Sequence, residues 1–212
     1  MHLPDEALRR AQALLAKGGR RLLGIAGPPG AGKSTVAALL KEALGDQAQV
    51  VPMDGFHLAQ AELERLGRAG RKGAPDTFDA SGFVSLLRRL RTPDAEAEAL
   101  VYAPEFRRDL EEPIAGALAV PATLPLVIVE GNYLLLSSPP WSEVQPLLDE
   151  CWHVSVAQAQ RLARLIARHE RHGRSPQDAR AWALGNDEPN ARLVEAAAHR
   201  ADWQMPWAEP AG

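Results

Sequence analysis

The chain has 212 residues, a net charge of −3, 46% apolar and 24% charged residues. These values suit one soluble globular domain with a sizeable core, and they leave no basic face for nucleic acid and no polybasic patch for a membrane. The single Cys151 excludes an internal disulfide and points to a reducing, cytoplasmic setting.

The first 21 residues, MHLPDEALRRAQALLAKGGRR, are amphipathic and carry Asp5 and Glu6, so the apolar centre of a signal peptide is not expected there. No apolar run approaches the ~18 residues of a membrane span. Leu8, Ala11, Leu14 and Leu15 share one face of a helix predicted over 4–17. RLLGIA (21–26) reads as a strand buried on both faces. After the glycine loop, STVAALLKEALG predicts a helix that ends at Gly45. AQVVPMD (48–54) is a second strand ending in an acid. A short helix over 59–66 and the charged, glycine-rich loop GRAGRKGAPDTFDA follow.

Asp79 or Ser81 is expected to cap a helix over 82–91. Next come a loop with Pro93 and an extended piece at 100–104. EFRRDLEEPIAGALAV is expected to be irregular, interrupted by Pro113. TLPLVIVEG (123–131) is the clearest strand and runs straight into Glu130. A fourth strand fits 150–156, a long helix 157–172, then a loop, another helix, and a last short strand in HRADWQMPW. Strands alternate with helices, so the fold class is α/β, with a mainly parallel sheet of about five strands and helices on both faces.

GPPGAGKST (27–35) carries the chemistry. It fits G-x-x-x-x-G-K-[ST], with Gly27, Gly32, Lys33 and Ser34 at the fixed positions, between a strand and a helix. Glycines let successive backbone N–H groups turn toward anionic oxygens, and the helix adds its positive N-terminal end. Gly27, Pro28, Pro29, Gly30, Ala31, Gly32, Lys33, Ser34 and Thr35 are therefore the expected nucleotide-binding residues. Lys33 can reach the β- and γ-phosphates, and the Ser34 hydroxyl can sit on Mg²⁺. Two acids end predicted strands, where ligands of open parallel sheets bind. Glu130 has the layout of the acid that holds Mg²⁺ with Ser34. Asp54, in MDGFH, is the candidate general base for a phosphate acceptor.

GPPGAGKST, MDGFH, RKGAPDTFD and VIVEGNYLLL together resemble the phosphoribulokinase/uridine kinase family, which includes the type I pantothenate kinases. The likeness covers roughly residues 20–207. It implies a three-layer α/β/α P-loop fold over 1–212, with a substrate-binding insertion near 55–120 and an arginine-rich lid near 157–190. It also implies an ATP-dependent kinase of a small-molecule hydroxyl, with Asp54 as the catalytic carboxylate, Glu130 as the second acid, and ATP and Mg²⁺ as cofactors. The expected partners are ATP and a sugar, nucleoside or pantothenate-like substrate, without nucleic acid or membrane; a homodimer is compatible.

RLARLIARHERHGR spaces Arg161, Arg164, Arg168, Arg171 and Arg174 at helical intervals of three and four, stacking them on one face able to clamp phosphates. It is similar to the uridine kinase lid, with Arg164 and Arg168 the expected catalytic pair and His169 replacing the usual aspartate. His169 and His172 read as surface residues. For the acceptor, the candidates are Phe56 and His57 after Asp54, Arg71 and Lys72 in the loop, and Tyr102, Arg107, Arg108 and Tyr133. The family segment matching APEFRR favours Arg108 over Arg107. Asn186, Asp187 and Asn190 form a polar cluster that either caps a helix or reaches the site. The alternative reading is a P-loop nucleotide hydrolase acting as a switch or assembly factor. The absent guanine-selecting N-K-x-D stretch argues against a GTPase switch.

Overall fold

The computed structural model describes residues 2–92 and 98–207, so the loop position expected at Pro93 lies outside the described residues. The helices are α1 (Asp5–Ala16), α2 (Lys33–Leu44), α3 (Gln60–Arg65), α4 (Ala80–Arg91), α5 (Gln158–Arg171), α6 (Pro176–Trp182) and α7 (Glu188–Ala196). The strands are β1 (Arg21–Ala26), β2 (Ala48–Pro52), β3 (Leu100–Arg107), β4 (Glu112–Pro121), β5 (Leu126–Gly131), β6 (Glu150–Ser155) and β7 (Trp203–Pro206). Among the described residues, five strands form one parallel sheet in the order β2-β5-β1-β6-β7, and β3 and β4 form a separate antiparallel hairpin.

The central strands are apolar throughout because both their faces are covered. Leu23, Ile25, Leu126 and Ile128 pack with α1 and α2 residues such as Leu14, Val36 and Leu40. Leu22, Val127 and Val129 point the other way, into a cluster with Phe83 and Leu87 of α4 and with Tyr133 and Trp141. The period-two alternation of side chains thus builds the three-layer α/β/α sandwich. No helix among the described residues is long and apolar enough to cross a membrane.

Local chemistry sets the boundaries near the site. Gly32 takes φ 98° and α2 starts at the next residue; Gly45, at φ 59°, ends it. Asp79 Oδ1 accepts from Gly82 N at 2.8 Å and caps α4. Register then brings the functional strand ends together: Glu130 pairs with Ile25 of β1 and with Pro52 of β2.

Three local expectations need correction. The stretch around Pro113 is a strand, not irregular: β4 pairs with β3, and Pro113 stands opposite Phe106. Half of β4 is exposed and only Val120 is buried, so it shows no alternating burial to read, and a proline near the start of a strand paired on one side costs little. The second strand stops at Pro52, and Asp54 lies in a 3-10 turn over Met53–Phe56. The third correction, to the arginine row, belongs to the site below.

The turn carrying Asp54 is clamped against the hairpin at Gly55, where an added Cβ meets the Pro104 carbonyl oxygen at 2.3 Å. Gly55→Ala is expected to destabilise the fold by about 1–3 kcal/mol through overpacking. Gly185→Ala, which meets nothing within 4 Å, should stay within about 0.5 kcal/mol of the parent. Equal unfolding midpoints in urea for the two variants would contradict the clamp.

Candidate active site

The glycine loop leaves β1 and enters α2 between two packed elements. At Gly30 (φ 80°) an added Cβ meets Leu165 Cγ at 2.7 Å and the Arg161 carbonyl at 2.9 Å, so α5 lies directly on the loop. At Gly32 an added Cβ meets the Trp207 indole nitrogen at 2.7 Å. Lys33 is buried, and its Nζ donates to Asn132 Oδ1 at 2.6 Å and to the Pro28 carbonyl at 3.2 Å. Burial lowers its pKa, opposed by the Glu130 and Asp54 carboxylates.

Ser34 Oγ donates to Glu130 Oε1 at 3.2 Å. Glu130 is itself buried, and burial followed by the Asp54 charge raises its pKa. Asp54 Oδ2 faces Arg108 Nη2 at 3.4 Å. Two carboxylates converging with a hydroxyl make a hard-oxygen set whose mutual repulsion a cation relieves. Among the described residues no group of three or more His, Cys, Asp and Glu forms a metal cage. A sparse oxygen set suits Mg²⁺, which keeps several of its waters.

One cavity of about 560 Å³ unites most of these groups. Pro29, Lys33, Ser34 and Glu130 line it at the glycine loop and the end of β5, and Asp54, His57, Lys72 and Arg108 line it too, with Phe78 and Phe106 as apolar walls. Arg168 reaches the same cavity from α5, and burial lowers its pKa, with Arg108 adding to the effect. Several sequence candidates lie elsewhere. Phe56 is half-buried and packs edge-on against Phe83 of the core, 5.3 Å between centroids. Tyr133 is fully buried, and its hydroxyl donates to the Gly73 carbonyl. Tyr102 is 54% exposed on the hairpin, Arg107 pairs with Asp109 at 2.7 Å, and Arg71 pairs with Asp76 at 2.6 Å. None of these five lines the cavity.

The arginine row does not form one face. Arg161 is buried against Glu188 of α7, Arg164 Nη1 donates to the loop carbonyl of Ala31 at 3.4 Å, and Arg168 faces the cavity. Arg171 is exposed, and Arg174 stacks on Trp182 at 4.0 Å, beyond the helix end. Partners on three different elements decide these directions, and spacing alone does not contain them. His169 is not a surface residue: its Nε2 lies 2.7 Å from Asp187 Oδ2, and both line the cavity with His172. Asn190 lines it too, while Asn186 Nδ2 donates to the Lys72 carbonyl at 3.1 Å. Asn132, a sequence candidate beside Glu130, and Phe78, within RKGAPDTFD, both line the cavity, each placed by a neighbour, Lys33 and His57 respectively.

A strand-loop-helix cradle with a buried lysine, a serine and a strand-end acid defines a P-loop nucleotide-binding protein. No family model matches the chain. A Schizosaccharomyces pombe protein provisionally named a uridine kinase is 38% identical over 175 residues, spanning 78% of this chain and 73% of that one. The Bacillus velezensis pantothenate kinase is 34% identical over 121 residues, 55% of this chain and 37% of that one. A crystal structure from Silicibacter sp. TM1040, provisionally named a fructose transport system kinase, superposes with a TM-score of 0.84. It is 40% identical and covers 95% of this chain and 98% of its own. The chain belongs to the uridine kinase-type family of P-loop kinases and is an ATP-dependent phosphotransferase acting on a small molecule.

His153, fully buried on β6, pairs in register with Ala26 at the root of the loop. Burial, then the Lys33 charge, pushes its pKa down to about 4 from 6.5. The unfolded chain therefore binds this proton more readily than the folded one. The stability that neutral His153 contributes is present above about pH 6.5 and lost as pH falls toward 4, by up to about 1.4 kcal/mol per pH unit. His153→Asn should flatten that acid slope in urea unfolding measured across the window; an unchanged slope rules the effect out.

Proposed function

We propose that the enzyme transfers the γ-phosphoryl group of ATP to a hydroxyl of a small metabolite of the sugar, nucleoside or pantothenate-like kind, in a Mg²⁺-dependent reaction. The observation that carries this reading is the convergence of Lys33, Ser34, Glu130 and Asp54 on one cavity with Arg108 and Arg168. Lys33 and the loop N–H groups hold the phosphates, and Lys33 exchanges its Asn132 and Pro28 partners for phosphate oxygens. Ser34 and Glu130 supply the oxygens for the cation, which when bound offsets charge on the β- and γ-oxygens. Asp54 orients the acceptor hydroxyl and takes its proton. Arg168 closes on the transferring group and helps exclude water, with Arg164 one turn earlier supporting the loop at Ala31.

Names borne by the relatives supply the first acceptors to assay: fructose, uridine and pantothenate. ADP release with Mg²⁺ should rise sharply with one of them and stay slow without. Asp54→Asn is expected to lower kcat by about 10²–10⁴-fold while ATP still binds. Lys33→Ala should weaken ATP binding itself. Slow hydrolysis that no acceptor accelerates, and that Asp54→Asn leaves intact, would instead indicate a nucleotide switch.

A further inference from the structure

The acceptor side of the cavity holds a histidine whose hydrogen-bonding character is decided by the backbone. His57 Nδ1 lies 2.8 Å from the carbonyl oxygen of Asp54. A carbonyl only accepts, so Nδ1 carries the proton and donates. Burial lowers the ring's pKa, with the Asp54 charge opposing, which favours the neutral form and leaves Nε2 as a lone-pair acceptor. Among the described residues no protein group bonds Nε2, and the ring lines the cavity.

The ring is also held in place. Its centroid lies 4.0 Å from that of Phe78 and 4.8 Å from that of Phe106. Leu58 N donates to the Thr77 carbonyl at 2.9 Å, and Asp79 N donates to the Phe56 carbonyl at 2.8 Å, so the residues before and after the ring are tied to the stretch around Phe78. Gly55 rests on the Pro104 carbonyl of the hairpin. Turning the ring over would set a C–H against the Asp54 carbonyl and forfeit its bond. Nearby, Lys72 and Arg108 line the cavity and can only donate. They complement hydroxyl oxygens, whereas Nε2 complements a hydroxyl proton.

Resting on the kinase reading above, we propose that His57 determines acceptor specificity: its Nε2 accepts a hydrogen bond from a second hydroxyl of the acceptor, while the hydroxyl to be phosphorylated faces Asp54. The preferred acceptor is thus a polyol rather than a lone alcohol. Rigid presentation of one lone pair makes the missing partner costly, because a site built to bond a hydroxyl rejects the analogue that lacks it.

The test combines His57→Phe, which keeps a flat ring between Phe78 and Phe106 without a lone pair, with fructose, uridine, pantothenate and their monodeoxy analogues. For the wild-type enzyme, deleting the hydroxyl that His57 reads should lower kcat/KM by about 10- to 100-fold, mainly through KM. His57→Phe should lose a similar factor on the parent acceptor, keep the KM for ATP, and lose little more on that deoxy analogue. If the variant loses the same factor on the parent and on every deoxy analogue, the inference is overturned. Nitrogen-15 NMR of the acceptor-free enzyme provides a second decision: the Nδ1–H tautomer of His57 supports the inference, and the Nε2–H tautomer overturns it. If none of these acceptors raises ADP release, the proposed acceptor class fails, and the tautomer still decides the histidine.

Discussion

A buried ammonium organises this molecule. Lys33 sits under the glycine loop at the start of α2, and a charge taken out of water must find partners there. Two oxygens, from Asn132 and Pro28, meet it directly, and the Glu130 and Asp54 carboxylates supply the compensating field. Those acids arrive by register rather than by chain proximity. β5 is inserted between β1 and β2, so Glu130 lies beside the root of the loop on one side and beside Pro52, two residues before Asp54, on the other. The same arrangement that stabilises the lysine collects the groups that a phosphoryl transfer needs.

Helix α5 is rooted on the glycine loop. α5 packs against Gly30 so closely that a methyl group there has no room. Its first inward arginine, Arg161, is spent on a buried ion pair with Glu188, which also accepts from Gln158 at 2.7 Å. Breaking a buried pair from one side leaves an uncompensated charge, so this end of α5 is anchored. Farther along, Arg168 and His169 reach the cavity and Arg171 is exposed to solvent. One helix therefore touches the glycine loop, the buried ion pair of α7 and the cavity, and its far end is tied through His169 to Asp187.

The cavity draws on segments remote from one another in the chain. The turn with Asp54 and His57, the loop with Lys72 and Phe78, and the hairpin with Phe106 and Arg108 meet at one wall. The hairpin is a separate two-stranded unit, outside the sheet that builds the core. Family membership fixes the phosphate end, where backbone geometry does the work. The rest of the cavity depends on side chains that loops and a hairpin contribute.

Much of this was legible in the chain itself. The glycine loop, the strand RLLGIA before it, the helix ending at Gly45 and the strand running into Glu130 are local features, with spacing and apolar patterning contained in contiguous residues. The exposed strand β4 was not legible, because pairing to β3 alone imposes no alternation of burial. Nor were the separate fates of Arg161, Arg164 and Arg168, the packing of Phe56 against the core, the burial of Tyr133, or the pairing of His169 with Asp187. Sequence by itself determined that a glycine loop joins a buried strand to a helix beginning at Lys33, since that geometry is written into consecutive backbone conformations. Only the tertiary structure decided which of the scattered polar side chains face the cradle, because direction and burial depend on partners far away along the chain.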